Sequence, residues 1–262
     1  MRVAMFEADI QQRWVFGLRM QFSKDDRYLY LGGQRISRLS VRDTSDWSQV
    51  ACFKDASFPL IEQEKEGQFA AYHNGNFKLF NVNQQIETGV GFSTFPLSGK
   101  EIRNYAFTTD REMIAIQERN KELISIHDVQ SGRKMMDWPH SSSKDTGLMS
   151  IAGGLQYVAW MPEIWNRSVD EVQLRLFQPF EEREIQLENS QPGLLIAAEF
   201  SPDTQWLVAG GWDYLLHVWE PSTGAKRGSF KGHLDEIFCV AFSPNSQTLR
   251  LRRQRWASLL VG

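Results

Sequence analysis

The chain has 262 residues, a formal net charge of −3 at pH 7 and a sequence pI of about 6.0. This length can bury a full core as one domain, and the charge gives no general electrostatic attraction to nucleic acid. No run approaches the roughly 18 apolar residues that cross a bilayer, and the N-terminus lacks the apolar core of a signal peptide. We therefore expect a cytoplasmic protein that binds neither membranes nor nucleic acid.

Taken in order, the chain repeats one unit of turns and strand-like runs about every 42 to 47 residues. The first copy opens at Phe22-Ser23-Lys24-Asp25, and the second contains an Asn74-Gly75 turn, a strong hairpin signal. The third copy opens at Phe107-Thr108-Thr109-Asp110. The fourth is the least regular, with clear alternation only over Leu155 to Met161 and weaker strand signals after it.

The fifth copy, residues 194–233, is the best formed. Phe200-Ser201-Pro202-Asp203 forms a turn, because proline fixes φ and aspartate favours turns. Leu215 to Trp219 alternates as a strand, Pro221-Ser222-Thr223-Gly224 turns the chain again, and Gly232-His233 ends the unit. The copy is predicted to be four short strands joined by turns.

Three motifs of this fifth copy, FSPD, then VWE, then a closing GH, together resemble the WD-repeat β-propeller family. The resemblance implies an all-β fold, a β-propeller of four-stranded antiparallel blades, with about five recognisable blades and a truncated sixth. The strands of a blade are lettered a to d. A single domain would cover residues 1–262, with blades at roughly 15–57, 58–99, 100–142, 145–193 and 194–233 and a partial blade at 234–262.

Both ends of the chain bear on the last blade. Val3 to Phe6 resembles a strand d, and in this family the N-terminal strand commonly completes the last blade. At the other end, we expect the sixth blade to stop after its first strand, because Arg250 to Arg255 holds four arginines where a small-residue strand is expected. Three interpretations of this segment stay open: a basic segment that binds polyanions, a shifted reading frame, or a short strand that caps the sheet.

The resemblance also implies a structural network in each blade, formed by a GH histidine, a strand-b hydroxyl, a turn aspartate and a strand-c tryptophan. In the fifth copy Asp213 matches the aspartate and Trp219 the tryptophan, but Ala209-Gly210 stands at the hydroxyl position. His233 matches the histidine and belongs to the sixth copy. No copy has all four groups, so we expect packing between sheets to provide most of the stability. His217 alternates with apolar neighbours and is expected to be structural.

Motifs of catalysis and metal binding are missing from the sequence. It has no GxxxxGK[ST], GxSxG, HExxH or CxxC, and none of its five histidines has metal-ligand spacing to another. We therefore predict a protein that is not an enzyme, with no cofactor and no metal site. The cysteines, Cys52 and Cys239, are expected to be buried free thiols in a reducing compartment.

Recognition is the function that remains. In propellers of this family the d–a and b–c loops crowd one face, where proteins or peptides dock. The candidate partner-binding residues of the b–c turns are Arg35, Asn74, Arg119, Trp212 and Tyr214, since Trp, Tyr and Arg often anchor interfaces. Trp212 could instead pack against a blade. Two alternatives stay open: an enzyme or sensor with a small-molecule or ion site in the central channel, and a truncated repeat region of a larger signalling protein.

Overall fold

A computed structural model describes the chain over residues 6–7, 18–33, 36–54, 56–62, 67–73, 76–90, 102–118, 124–138, 146–162, 173–190, 195–231, 236–253 and 257–261. These residues contain 24 β-strands and a single-turn 3-10 helix at Gly153–Leu155. The chain divides into two compact units, Asp9–Lys100 on the one hand and Met1–Ala8 with Glu101–Gly262 on the other. Each unit is built from four-stranded antiparallel sheets.

The Asp9–Lys100 unit contains two sheets, blades 1 and 2, whose strands follow in chain order. Blade 1 is β2 (Leu18–Phe22), β3 (Tyr28–Gly33), β4 (Ile36–Asp43) and β5 (Gln49–Lys54); blade 2 is β6 (Ser57–Glu62), β7 (Gln68–His73), β8 (Asn76–Asn81) and β9 (Ile86–Val90). Tyr30 and Phe53 of blade 1 pack against Phe69 and Phe80 of blade 2, with ring centroids 5.1 to 5.5 Å apart. Burial of these aromatic rings holds the two sheets together.

The second unit contains three further sheets in chain order, blades 3 to 5. Blade 3 is β10 (Ile102–Phe107), β11 (Met113–Glu118), β12 (Ile124–Asp128) and β13 (Lys134–Trp138). Blade 4 is β14 (Thr146–Ile151), β15 (Val158–Pro162), β16 (Arg175–Gln178) and β17 (Arg183–Ile185). Blade 5 is β18 (Leu195–Phe200), β19 (Leu207–Gly211), β20 (Leu215–Trp219) and β21 (Lys226–Lys231).

A sixth sheet joins the two ends of the chain, and here one prediction is wrong. Blade 6 does not stop after its first strand, β22 (Ile237–Phe242): it continues through β23 (Leu249–Arg253) and β24 (Ala257–Val261). The short N-terminal strand β1 (Phe6–Glu7) then pairs antiparallel with β24, as Phe6 opposite Ser258. The run Leu249-Arg250-Leu251-Arg252 alternates with the period of two that a strand requires, so its arginines are compatible with pairing.

The fold class is confirmed as all-β, a β-propeller of four-stranded antiparallel blades. Blade 5 shows how burial follows strand position. Strand b, β19, is buried at all five positions, whereas the edge strand β21 has no fully buried residue. A strand covered on both faces is apolar throughout, and the outermost strand can carry charge.

The two cysteines are free, and one of them is not buried. Cys239 lies in the core, as predicted. Cys52 is only partly buried, and its sulfur accepts a hydrogen bond from Arg38 Nε at 3.0 Å. The burial prediction is therefore wrong for Cys52, because alternate positions of an outer strand face solvent.

The a–b turns of four blades share one hydrogen-bond motif. In each, a hydroxyl donates to an Asx side chain two residues later and accepts the backbone N–H five residues later, as Ser201 Oγ does with Asp203 Oδ1 (2.5 Å) and Trp206 N (2.9 Å). The hydroxyl–Asx pairs are Ser23–Asp25, Thr108–Asp110, Ser201–Asp203 and Ser243–Asn245. The residue after the Asx has positive φ in all four, so side-chain bonds hold a strained turn.

Blade 4 has Ala152 where the hydroxyl would be, and its a–b turn takes its hydrogen bonds from blade 3. Gly153 N donates to Thr109 Oγ1 and Gly154 N donates to Asp110 Oδ2, each at 2.8 Å. Asp110 therefore uses one carboxylate oxygen within its own turn and the other on the next blade. The irregularity of the fourth copy is compensated by its neighbour.

Substituting Asp110 should therefore cost more than substituting its counterpart in blade 5. Asp110→Ala removes the turn bonds and the bond to Gly154, whereas Asp203→Ala removes turn bonds to Ser201 and Gln205 only. We expect Asp110→Ala to lower the free energy of unfolding by about 1 kcal/mol more than Asp203→Ala, the worth of one charge-assisted bond. Urea unfolding of both variants measures the difference, and equal losses would show that the bond between blades contributes nothing.

Candidate functional site

The b–c turn of blade 5 exposes two aromatic side chains at one end of a well-ordered sheet. Trp212 is 40% exposed and Tyr214 is 45% exposed, on either side of Asp213. Tyr214 lies at φ +63°, a conformation that a non-glycine residue adopts only when its surroundings impose it. The neighbouring strands β19 and β20 are paired from Leu207 opposite Trp219 to Gly210 opposite Leu216. The aromatics thus stand on a rigid base.

Asp213 holds this turn through a chain of hydrogen bonds. Its Oδ1 accepts the Leu215 N–H at 3.2 Å, and its Oδ2 lies 2.6 Å from His217 Nε2. The other imidazole nitrogen, Nδ1, lies 2.9 Å from Ser229 Oγ on strand d. His217 is buried, at 5% exposure. The chain of bonds ties the turn, strand c and strand d of one blade together.

The carboxylate fixes which nitrogen of His217 carries the proton in the neutral ring. Asp213 can only accept, so Nε2 donates to it and Nδ1 is left as an acceptor. Ser229 then donates its hydroxyl proton to Nδ1. The carboxylate, the imidazole and the hydroxyl thus form one directed chain of hydrogen bonds.

Sequence reasoning identified Asp213 as the turn aspartate and His217 as structural, but it missed Ser229. The structure pairs His217 with Ser229 directly across the β20–β21 ladder, on the same face. Counting outward from the Pro221-Ser222-Thr223-Gly224 turn would have brought these two positions together. The signal was therefore present, but only a register assignment could use it.

Trp219 lies at the other end of strand c, next to blade 4. It is 1% exposed, and its Nε1–H donates to the carbonyl oxygen of Glu188 at 2.8 Å. Its ring lies 5.6 Å from that of His217, centroid to centroid, and 5.4 Å below the Lys226 ammonium. The tryptophan thus bonds to the preceding blade, where the family pattern would place a strand-b hydroxyl.

Lys226 makes further polar contacts between blade 5 and the end of blade 4. Its Nζ donates to the Asn189 carbonyl at 3.3 Å, and its backbone N–H donates to Glu188 Oε2 at 3.1 Å. Burial lowers the pKa of Lys226, and the negative charge of Asp213 opposes that shift. The cation is therefore held between the tryptophan ring and the end of blade 4, which keeps strand d in place.

Four other predicted site residues, Arg35, Asn74, Arg119 and His233, lie outside the described residues. Their assignments stay predictions. Within the described ranges, no three or more of His, Cys, Asp and Glu are grouped so that they could hold a metal ion. None of the helical turns in those ranges has the length and apolar character needed to cross a membrane.

Parts of this chain are similar in sequence to repeats of known proteins. Residues 191–220 and 224–249 match the family model described as WD domain, G-beta repeat. These stretches contain blade 5 and the beginning of blade 6. They include the b–c turn and all three residues of the hydrogen-bonded chain, Asp213, His217 and Ser229.

Three relatives match parts of the chain. The serine-threonine kinase receptor-associated protein of Gallus gallus is 26% identical over 128 residues, which are 49% of this chain and 35% of that protein. WD repeat-containing protein 82 of Drosophila melanogaster is 34% identical over 80 residues, 29% of this chain and 25% of that protein. Nuclear distribution protein nudF of Aspergillus terreus is 43% identical over 42 residues, 16% of this chain and 9% of that protein.

The matched stretches therefore span 35% or less of the length of these relatives. Proteins of the WD-repeat family are typically non-enzymatic scaffolds that bind protein partners. The repeat matches, the relatives and the four-stranded antiparallel blades agree: this chain carries WD repeats.

Proposed function

We propose that the chain is a non-catalytic scaffold that binds a protein or peptide through its d–a and b–c loops, with Trp212 and Tyr214 as anchors. The observation that carries the proposal is their exposure, 40% and 45%, on a turn fixed by Asp213. Trp and Tyr are enriched among the residues that dominate binding energy. The WD repeats support a protein partner over a small molecule.

The rigidity of the turn strengthens the case for docking. Each aromatic side chain that is already held in place loses less conformational freedom when it becomes buried in an interface. The Asp213–His217–Ser229 chain holds the backbone beneath Trp212 and Tyr214 before any partner arrives. A preorganised aromatic pair is what a specific docking surface requires.

The remaining predicted features of this function belong to the same proposal. Arg35, Asn74 and Arg119 stay candidate partner-binding residues of the b–c turns of blades 1 to 3. A cytoplasmic location, without nucleic acid or membrane as partner, stays a prediction from composition. The channel site of an enzyme or sensor, and the origin of the chain in a larger signalling protein, also stay predictions.

Alanine substitution of the anchors should weaken binding and leave folding intact. We expect Trp212→Ala and Tyr214→Ala each to lower affinity by roughly 30-fold, about 2 kcal/mol, because truncating an interface anchor costs this much. Stability should change by about 0.5 kcal/mol or less, since exposed side chains contribute little. A partner is first captured with the wild-type chain. Calorimetric titration of this partner with the wild-type chain and with each variant then gives the affinities.

Trp206 provides the matched control. It is 38% exposed on the a–b turn, at the opposite end of the same blade. Trp206→Ala should leave partner affinity unchanged. Binding that survives Trp212→Ala and Tyr214→Ala together, or that is lost equally with Trp206→Ala, would place the docking surface elsewhere. A loss of several kcal/mol of stability in Trp212→Ala would assign that residue to the core.

A further inference from the structure

Ser229 lies on the outermost strand of blade 5, where its hydroxyl can be reached from solvent. Strand β21 pairs with β20 on one side only, and Ser229, Phe230 and Lys231 are all exposed. An edge strand separates from its sheet at low cost, because it has one ladder only. The bonds of Lys226 to Glu188 and Asn189 hold this strand at its first residue, three positions before Ser229. The serine is thus the accessible end of the hydrogen-bonded chain that begins at Asp213.

The residues around Ser229 carry a pattern of charge that an enzyme could read. Lys226 and Arg227 stand three and two residues before the serine, and the apolar Phe230 follows it. A kinase groove that is acidic where the two cations lie and apolar beyond the acceptor serine complements this order of residues. Basophilic serine/threonine kinases select such a spacing of cations before the acceptor hydroxyl.

We propose that Ser229 is a phosphorylation site for a basophilic serine/threonine kinase. The γ-phosphoryl group of Mg-ATP is transferred to Ser229 Oγ: a P–O bond to the serine forms, the P–O bond to ADP breaks, and ADP leaves. The hydroxyl proton passes to the catalytic aspartate of the kinase. The hydroxyl gives up its bond to His217 Nδ1 as strand d opens into the kinase groove.

The ion pair of Arg227 does not stand in the way of recognition. Arg227 pairs with Glu220, and its side chain is 53% exposed. Exposed ion pairs of this kind contribute little to stability, so a kinase carboxylate can replace Glu220 at little cost. Gly228 adds no side chain between the cations and the acceptor.

Phosphorylation would change the state of His217. The phosphate brings close to two negative charges to the position that a neutral hydroxyl occupied, beside Nδ1. With Asp213 at Nε2, the imidazole would then lie between two anions.

The direct test is phosphorylation of the folded 262-residue chain. Purified chain is incubated with Mg-ATP and the catalytic subunit of cAMP-dependent protein kinase, and the modified residue is mapped by mass spectrometry. We expect Ser229 to be the main acceptor, with loss of this phosphate in Ser229→Ala. Phosphate on Ser258 instead, which follows Arg255 by three residues, would overturn the proposal. So would modification of Ser229 only after heat unfolding.

A pair of arginine variants separates recognition from folding. Arg227→Ala should slow modification of Ser229 by roughly ten-fold, because the kinase loses one cation contact. Arg183→Ala is the matched control: Arg183 also lies near the start of a strand d, in blade 4, and also pairs with a turn glutamate, Glu181. It should leave the rate unchanged. Equal rates in Arg227→Ala and wild type would overturn the assignment of Arg227.

The second readout is the ring of His217, followed by nitrogen NMR in the phosphorylated and unmodified chains. We expect the Nδ1 resonance to shift, because a phosphate replaces the hydroxyl beside it. His127, which is also buried but bonds to Ser125 in blade 3, serves as the internal control and should not change. An unchanged Nδ1 resonance of His217 in the phosphorylated chain would contradict the contact between this nitrogen and residue 229.

Discussion

Gly224→Ala should be among the most destabilising substitutions in this chain, lowering the free energy of unfolding by roughly 3 kcal/mol or more. Gly224 is in the c–d turn of blade 5 at φ +74°, where a residue with a Cβ is strained. Its carbonyl accepts the Glu188 N–H at 2.9 Å, so the turn lies directly against the end of blade 4. A Cβ here would overlap the Gln186 carbonyl oxygen and come within 3.0 Å of Ile185 Cγ2.

The close approach, rather than the dihedral angle, is what makes the effect large. Gly154 has a similar φ of +61°, but a Cβ added there meets no atom within 4 Å. Gly154→Ala should therefore cost only the conformational term, about 1 kcal/mol. Thermal and urea unfolding of both variants provide the comparison. Equal losses of stability in the two variants would contradict the close backbone contact between blades 4 and 5.

Trp219→Ala should be comparably destabilising, by about 3 to 5 kcal/mol. The side chain is 1% exposed and packs in a core cluster with Leu176, Ile185 and Leu187 of the blade 4 region. Truncation leaves a cavity between the sheets and removes the donor to the Glu188 carbonyl. The lost contacts belong to both blades, so the effect should appear as a lower midpoint of urea unfolding.

Two variants divide this effect into packing and hydrogen bonding. Trp219→Phe keeps most of the ring but has no N–H for the Glu188 carbonyl, and should cost about 1 to 3 kcal/mol. Trp212→Ala removes an equally large side chain that is 40% exposed, and should cost about 0.5 kcal/mol or less. A Trp219→Ala variant as stable as Trp212→Ala would contradict the buried position of Trp219.

Both predictions concern the same joint, residues 185–190 against blade 5. Trp219, Gly224 and Lys226 each bond to this segment, through an indole N–H, a backbone carbonyl and a side-chain ammonium. The joint supports strand d from one side, while the Asp213 chain supports the b–c turn from the other. Substitutions on either side should therefore change the positions of the Trp212 and Tyr214 side chains.

Much of this arrangement could be predicted from residue patterns, because strands and turns obey local rules. Alternation over Leu215 to Trp219, and the Ser201-Pro202-Asp203 turn, identified blade 5 and its neighbours. The prediction for the arginine-rich run after Leu249 was wrong. It relied on the small residues that usually form a strand b, although the run alternates as a strand does. The fourth copy lacks the turn hydroxyl, and Thr109 and Asp110 of blade 3 supply side-chain hydrogen bonds to its turn instead.

The sequence by itself determined the strand periodicity, the order of turns, the family and the position of Asp213 in a turn, all of which depend on residues close along the chain. Tertiary structure alone decided what each side chain meets. It brought Ser229 to His217, placed Glu188 under Trp219 and exposed Trp212 and Tyr214. These contacts join residues 12 and 31 positions apart, or depend on the register between strands, and no local pattern of residue types specifies them.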